Sequence, residues 1–182
     1  MKHWFALSAI GRDRPGIVAD LAELIYECDC NLEDSSMTIL GSEFAVLLLL
    51  TGEGGPELER RLSAGCKRLE WEKRLTVFFR PLESDPTAPA PGRRTVAMEC
   101  EVHGVDKAGI VARVARTLAD HRVNITALQT QSRPGPESGT PMFTMRLRMV
   151  VPADLDRRVL RERLERVATE LRVDVSLADA GE

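Results

Sequence analysis

Apolar residues fall in two kinds of run along this chain, and the alternation between them predicts its elements. Trp4 to Ile10 is almost continuously apolar, the pattern of a strand covered on both faces or nearly so. Gly11 to Pro15 interrupts it as a turn. From Pro15-Gly16 to about Cys28 the period becomes helical, with Ile17, Val18, Leu21, Leu24, Ile25 and Cys28 on one stripe. Leu32–Ile39 and Phe44–Leu50 read as strands joined by a tight Gly41-Ser42 turn, a hairpin. Pro56 opens a second helix with Leu58, Leu62, Cys66 and Leu69 on its apolar face. Leu75–Phe79 is a last strand.

The same order follows again. Thr95–Val102 is a strand, and Gly109 to about His121 a helix with Ile110, Val111, Val114 and Leu118 on one stripe. Val123–Gln131 and Met142–Val151 are strands around a long loop, Ser132 to Pro141, expected to be mobile. A helix over Leu155–Leu171 turns Leu155, Val159, Leu160, Leu164, Val167, Ala168 and Leu171 inward, and Val173–Leu177 closes the unit. The repetition extends to letters: Gly11-Arg12-Asp13-Arg14-Pro15-Gly16-Ile17-Val18-Ala19 lies over Gly104-Val105-Asp106-Lys107-Ala108-Gly109-Ile110-Val111-Ala112 at an offset of 93. That register holds to Asn31-Leu32 over Asn124-Ile125, the signature of a duplicated unit.

A β-α-β-β-α-β order with right-handed crossovers predicts an α+β, ferredoxin-like fold in each copy. Its antiparallel sheet would have the order 4-1-3-2, with both helices on one face. The first and third strands, being most apolar, are expected at the centre. The second, with Glu33, Asp34, Ser35 and Ser36, is expected at an edge. The boundaries drawn are 1–82 for the first domain, 83–93 for a Pro-rich linker, 94–178 for the second domain and 179–182 for a tail. Proline removes donors and fixes φ in the linker, making it a semi-extended tether.

Composition narrows the classes. The 182 residues carry 25 Lys+Arg against 28 Asp+Glu, a formal net charge of −3, with 43% apolar and 29% charged. That is an ordinary globular balance. It lacks the basic footprint of a chain that neutralises phosphates, so direct nucleic-acid binding is not expected. The arginines of the last helix interleave with Glu162 and Glu165, as on a solvated face. No apolar run is long enough to span a bilayer, and the N-terminus does not read as a secretion signal. A cytoplasmic location is expected, in keeping with four cysteines that form no disulfide framework.

The residues that carry chemistry elsewhere are sparse. Cys28-Asp29-Cys30 invites metal or redox chemistry, but Cys66 and Cys100 offer no partner spacing, so buried structural thiols are the expectation and no metal or cofactor is assigned. His3, His103 and His121 pair with no nucleophile in sequence, and no GxSxG, P-loop or HExxH occurs. His103 could line a second-copy site but also suits a strand end. No enzyme is expected.

A different chemistry collects at the first turn. A helix that begins at Gly16 presents free N–H groups and a positive dipole end, a seat for a carboxylate. Asp13 offers an acceptor for an ammonium group, and Asn31 an amide that both donates and accepts. Together these are the needs of a zwitterionic amino acid. The same residues also suit plain structural roles, with Asp as a helix cap and Asn in a turn.

The stretch Asp13 to Val18 with Asn31, and more weakly Asp106 to Val111 with Asn124, resembles the ACT domain, a small ligand-sensing module. Cys28 to Ser35 followed by Leu40 to Phe44 is similar to the first domain of the glycine cleavage system transcriptional repressor family, tandem ACT chains of about this length. The resemblance implies ligand-binding roles for Asp13, Gly16, Ile17 (through its N–H) and Asn31, and for Asp106, Gly109, Ile110 and Asn124. Arg12, Arg14 and Pro15 have no match in the second copy. It further implies a regulator that senses a small amino acid such as glycine and acts on a transcriptional activator protein, with the exposed edge strands pairing in a homodimer or in an intrachain side-by-side sheet. Two alternatives stand beside it: a ligand-free ACT assembly module, and a regulatory fragment related to formyltetrahydrofolate deformylase, whose regulatory domain also opens on this motif.

Overall fold

The computed structural model describes residues 2–87, 94–136 and 139–180. The first unit runs β1 (Lys2–Arg12), α1 (Ile17–Glu27), β2 (Cys30–Leu40), β3 (Glu43–Glu53), α2 (Gly55–Lys73) and β4 (Thr76–Leu82). The second repeats it as β5 (Thr95–Val105), α3 (Ile110–Asp120), β6 (Asn124–Pro134), β7 (Pro141–Pro152), α4 (Arg157–Leu171) and β8 (Val173–Asp179). Both sheets are antiparallel between neighbours, ordered β2-β3-β1-β4 and β6-β7-β5-β8. Two α+β, ferredoxin-like units are therefore present, with the apolar strands central and the polar β2 at an edge, as the pattern predicts.

The chain divides into compact units over Met1–Pro89 and Ala90–Glu182. Within the expected linker, 83–93, residues 88–93 lie outside the described residues, as do 181–182 of the expected tail.

Alternation builds each core. Along β1 the side chains of Phe5, Leu7 and Ala9 point at the helices and are buried, while Trp4, Ala6 and Ser8 point to the opposite face. Phe44, Val46, Leu48 and Leu50 do the same from β3. Ile17, Leu21, Leu24 and Ile25 come down from α1, and Leu58, Leu62, Cys66 and Leu69 from α2. The two helices touch at Gly65, where an added Cβ would run into Leu24. The second core repeats the plan around Met98, Cys100, Val102, Ile110, Val114, Leu118, Leu160 and Leu164.

Four details depart from expectation. Val18 is 56% exposed, because it lies one position outside the i, i+4, i+7, i+8 row that Ile17 starts. Val159 is similarly 41% exposed. The last helix begins at Arg157, not Leu155, because Asp156 caps it by accepting the Arg158 N–H at 2.8 Å. The second hairpin is tighter than its composition suggests. Pairing of β6 with β7 continues to Pro134 opposite Pro141, leaving a shorter loop in which Gly135 N–H donates to Thr140 O at 2.8 Å. Residues 137–138 of that loop lie outside the described residues.

Candidate functional site

The chain leaves β1 at Arg12 and must turn sharply into α1, and glycine makes the turn. Gly16 has φ 93° and ψ −3°, the left-handed region that a side chain penalises. Its carbonyl takes the first helical hydrogen bond from Asp20 N–H, at 2.9 Å. No side chain caps the helix start. The second unit has the same geometry: Gly109 has φ 96° and ψ −8°, accepts from Arg113 N–H at 3.0 Å, and has no side-chain cap. Two helix starts thus present first-turn amides with no side-chain acceptor, at the positive end of the helix dipole.

Asp13 is exposed and does not serve as the helix cap. Its N–H donates instead to Ser42 O in the β2–β3 turn at 2.8 Å, and Asp106 N–H donates to Pro141 O at 2.9 Å. The turn ahead of each helix is therefore pinned to the neighbouring hairpin, which holds the carboxylate-bearing residue at the sheet end where the helix starts. Ile17 and Ile110 contribute only backbone there, since their side chains are buried in the two cores.

Asn31 and Asn124 stand elsewhere. Asn31 pairs with Thr51, which pairs with Trp4 at the far end of β1 from Arg12. Eight residues of strand separate those positions, about 26 Å. The cause is topological: α1 carries the chain back to the start of β1 before β2 begins, so β2 runs parallel to β1. Asn124, opposite Val150, which pairs with Ala97, is displaced in the same way. One unit therefore groups Asp13, Gly16 and Ile17, or Asp106, Gly109 and Ile110, without the asparagine. Sequence adjacency to a helix end hid this separation.

The structure adds a residue that the sequence did not assign to the site. The Arg14 guanidinium lies beside the Gly16 helix start, with Nη1 3.8 Å from where a Gly16 Cβ would be. It is held by Asp20 at 2.6 Å and also reaches Pro15 O at 3.2 Å. Asp20 also meets Lys73 Nζ at 3.0 Å, and these two cations, Arg14 foremost, hold its carboxyl below the ordinary 3.8. The second unit has no such arrangement. Lys107 replaces Arg14, and Arg113, where Asp20 would be, pairs with Glu170 of α4. The Arg14 charge at this helix start is balanced by Asp20 in the first turn of the helix.

The remaining candidates stand apart from the two helix starts. Cys28, Cys30, Cys66 and Cys100 are free and buried. Burial pushes the Cys30 and Cys100 thiols up to about 11 and Cys66 to about 12, which favours the protonated form. His121 caps α3, and its Nδ1–H donates to Thr117 O at 2.7 Å. His103 lies on the helix-free face of β5, 3.2 Å from Thr144 Oγ1 and 3.4 Å from Glu101. That face holds a depression of about 180 Å³ lined by Glu99, Glu101, Gln129, Arg146 and Arg148. None of the predicted site residues lies in it. Among the described residues no helix is long and apolar enough to cross a membrane.

A duplicated ferredoxin-like unit with a glycine-started first helix is the architecture of ACT-domain proteins. Models of the ACT domain match residues 3–80 and 98–169, and the chain belongs to that family, with two domains in tandem. It is similar to the glycine cleavage system transcriptional repressor of Escherichia coli (strain K12), 25% identical over 176 residues, which cover 97% of this chain and 90% of that one. The repressor of the same description from Shigella flexneri matches to the same degree. Among solved structures, an unknown protein from Galdieria sulphuraria is 29% identical with a TM-score of 0.79, over all of both chains.

Proposed function

We propose that this chain is an amino-acid-sensing regulator that passes its ligand state to a transcriptional activator protein by direct contact. The observation that carries the reading is the pair of left-handed, uncapped glycine helix starts, each beside an exposed aspartate. Similarity to a glycine cleavage system transcriptional repressor over 97% of the chain supports it. The ligand is a small amino acid, glycine among the candidates. Its carboxylate sits on the Gly16 and Ile17 amides with Arg14 alongside, and its ammonium group faces Asp13. Asp106, Gly109 and Ile110 form the corresponding seat in the second unit. Asn31 and Asn124, at the far end of each sheet, lie outside these seats.

In this reading the chain works in the cytoplasm as a non-enzymatic homodimer and does not itself touch DNA, in keeping with its net charge of −3. Ligand acts by binding one conformational state more tightly than another, the only way binding shifts such an equilibrium. Calorimetric titration of the full chain with each of the twenty amino acids tests the site. Binding of at least one small amino acid is expected, lost in Asp13→Ala while the circular dichroism stays unchanged. Silence throughout would leave an assembly module. Pull-down from the native cell with and without glycine then reads the partner, and loss of a transcription factor with Asp13→Ala ties it to the site.

A further inference from the structure

The two sheets share one register, yet their helix-free faces differ in chemistry. Ser8 pairs with Leu47 and Phe78 at the centre of the first sheet, and the matching trio in the second is Glu101, Arg146 and Ser176. Ala6 opposite Leu49 becomes Glu99 opposite Arg148, and Ile10 becomes His103. Both chemistries fold on this scaffold, so folding does not demand the apolar version. It nevertheless leaves Ile10 52%, Leu47 53% and Phe78 64% exposed on one face of the first unit. A contiguous apolar face of that kind belongs to an interface.

We propose that the helix-free face of the first sheet is where two copies of this chain associate, each presenting the same face to the other. Charge decides the occupant. A covering surface that carries unpaired charge would have to be stripped of water at a cost of several kcal/mol per charge. A second copy of the first face brings an apolar centre around Ser8, with its charges at the margins, Arg80 on β4, Asp34 on β2 and the Lys2–Glu33 pair at the Trp4 end, whose heads can remain in water. Shape agrees. The small Ala6 and Ser8 form a trough along β1 between ridges of Leu47 and Leu49 on one side and Phe78 on the other, so a twofold-related copy can seat ridge in trough.

Size sets the strength. Four strands about 4.8 Å apart and about seven residues long give a flat footprint on the order of 450 Å². Standard interfaces bury about 800 Å² of accessible surface per partner, so this pair belongs at the small end and dissociates in the micromolar range.

Sedimentation velocity of the full chain from about 1 to about 100 µM tests this. Reversible dimerisation is expected for the natural sequence. The double variant Ser8→Glu/Leu47→Arg transplants the Glu101–Arg146 pair, 2.7 Å apart in the second sheet, onto a register already shown to hold it. It is expected to fold with unchanged circular dichroism and to dimerise at least about tenfold more weakly. Trp71→Arg, a change at an 89% exposed site on α2, is expected to leave association intact. A natural chain that stays monomeric throughout overturns the proposal and leaves the face to another protein. So does a double variant that associates like the natural chain. The single change Leu47→Arg repeats the test should the double variant misfold.

Discussion

At Gly109 the backbone stands at φ 96° with nothing within 4 Å of the place a Cβ would take. Gly109→Ala therefore isolates the conformational cost of a left-handed residue from any clash, and about 1 kcal/mol of stability should be lost in urea unfolding. Asp20 supplies a second residue-scale test. Its carboxyl is held below 3.8 by Arg14 first and Lys73 second. A group with a depressed folded pKa stabilises above its unfolded pKa, and that contribution is lost as pH falls through the folded value. Asp20→Asn should therefore lower the thermal midpoint near neutral pH, and the gap should close on acidification below 3.8. A constant gap across pH would show that packing, not charge, is what Asp20 provides. The pairing itself was invisible in sequence, since Arg14 precedes the helix and Lys73 comes from α2.

Between elements, the tightest fit is the contact of α1 with α2. Gly65 lets Leu24 into the groove of α2, and Gly65→Ala would force the two side chains into the same space. The expected loss is about 1–3 kcal/mol from overpacking, offset only in part by better helix propensity, read as a lower midpoint in chemical denaturation. The cap of α4 is the other element-scale lever. Asp156→Ala removes the acceptor for Arg158 N–H and should cost about 1 kcal/mol, while Asp156→Ser should recover most of it. Sequence periodicity foretold both helices but misplaced the start of α4, because Leu155 fits the apolar stripe and periodicity alone does not separate a cap from a first turn.

For the whole molecule, each hydrophobic core closes within its own unit: Phe5 to Phe79 in one, Val96 to Leu177 in the other. A fragment beginning at residue 94 should therefore fold alone, with a cooperative thermal transition by circular dichroism. A fragment that stays unfolded would mean that the second core depends on the first. Duplication also left the two units unequal at their helix starts: Arg14 and Asp20 at one, Lys107 and Arg113 at the other.

The fold was legible in the chain because hydrophobic period and an internal repeat are local properties. Strand and helix patterns, the Gly16 and Gly109 starts, and the edge character of β2 all follow from short-range spacing. What tertiary structure alone decided is where distant residues meet. It sent Asn31 about 26 Å from Asp13, because a crossover helix returns the chain to the far end of the sheet. It aligned Ser8 with Leu47 and Phe78 across three strands, exposing an apolar face that reads in sequence as core. Periodicity says that a strand has two faces; only the packing of helices on one of them decides which is left to water.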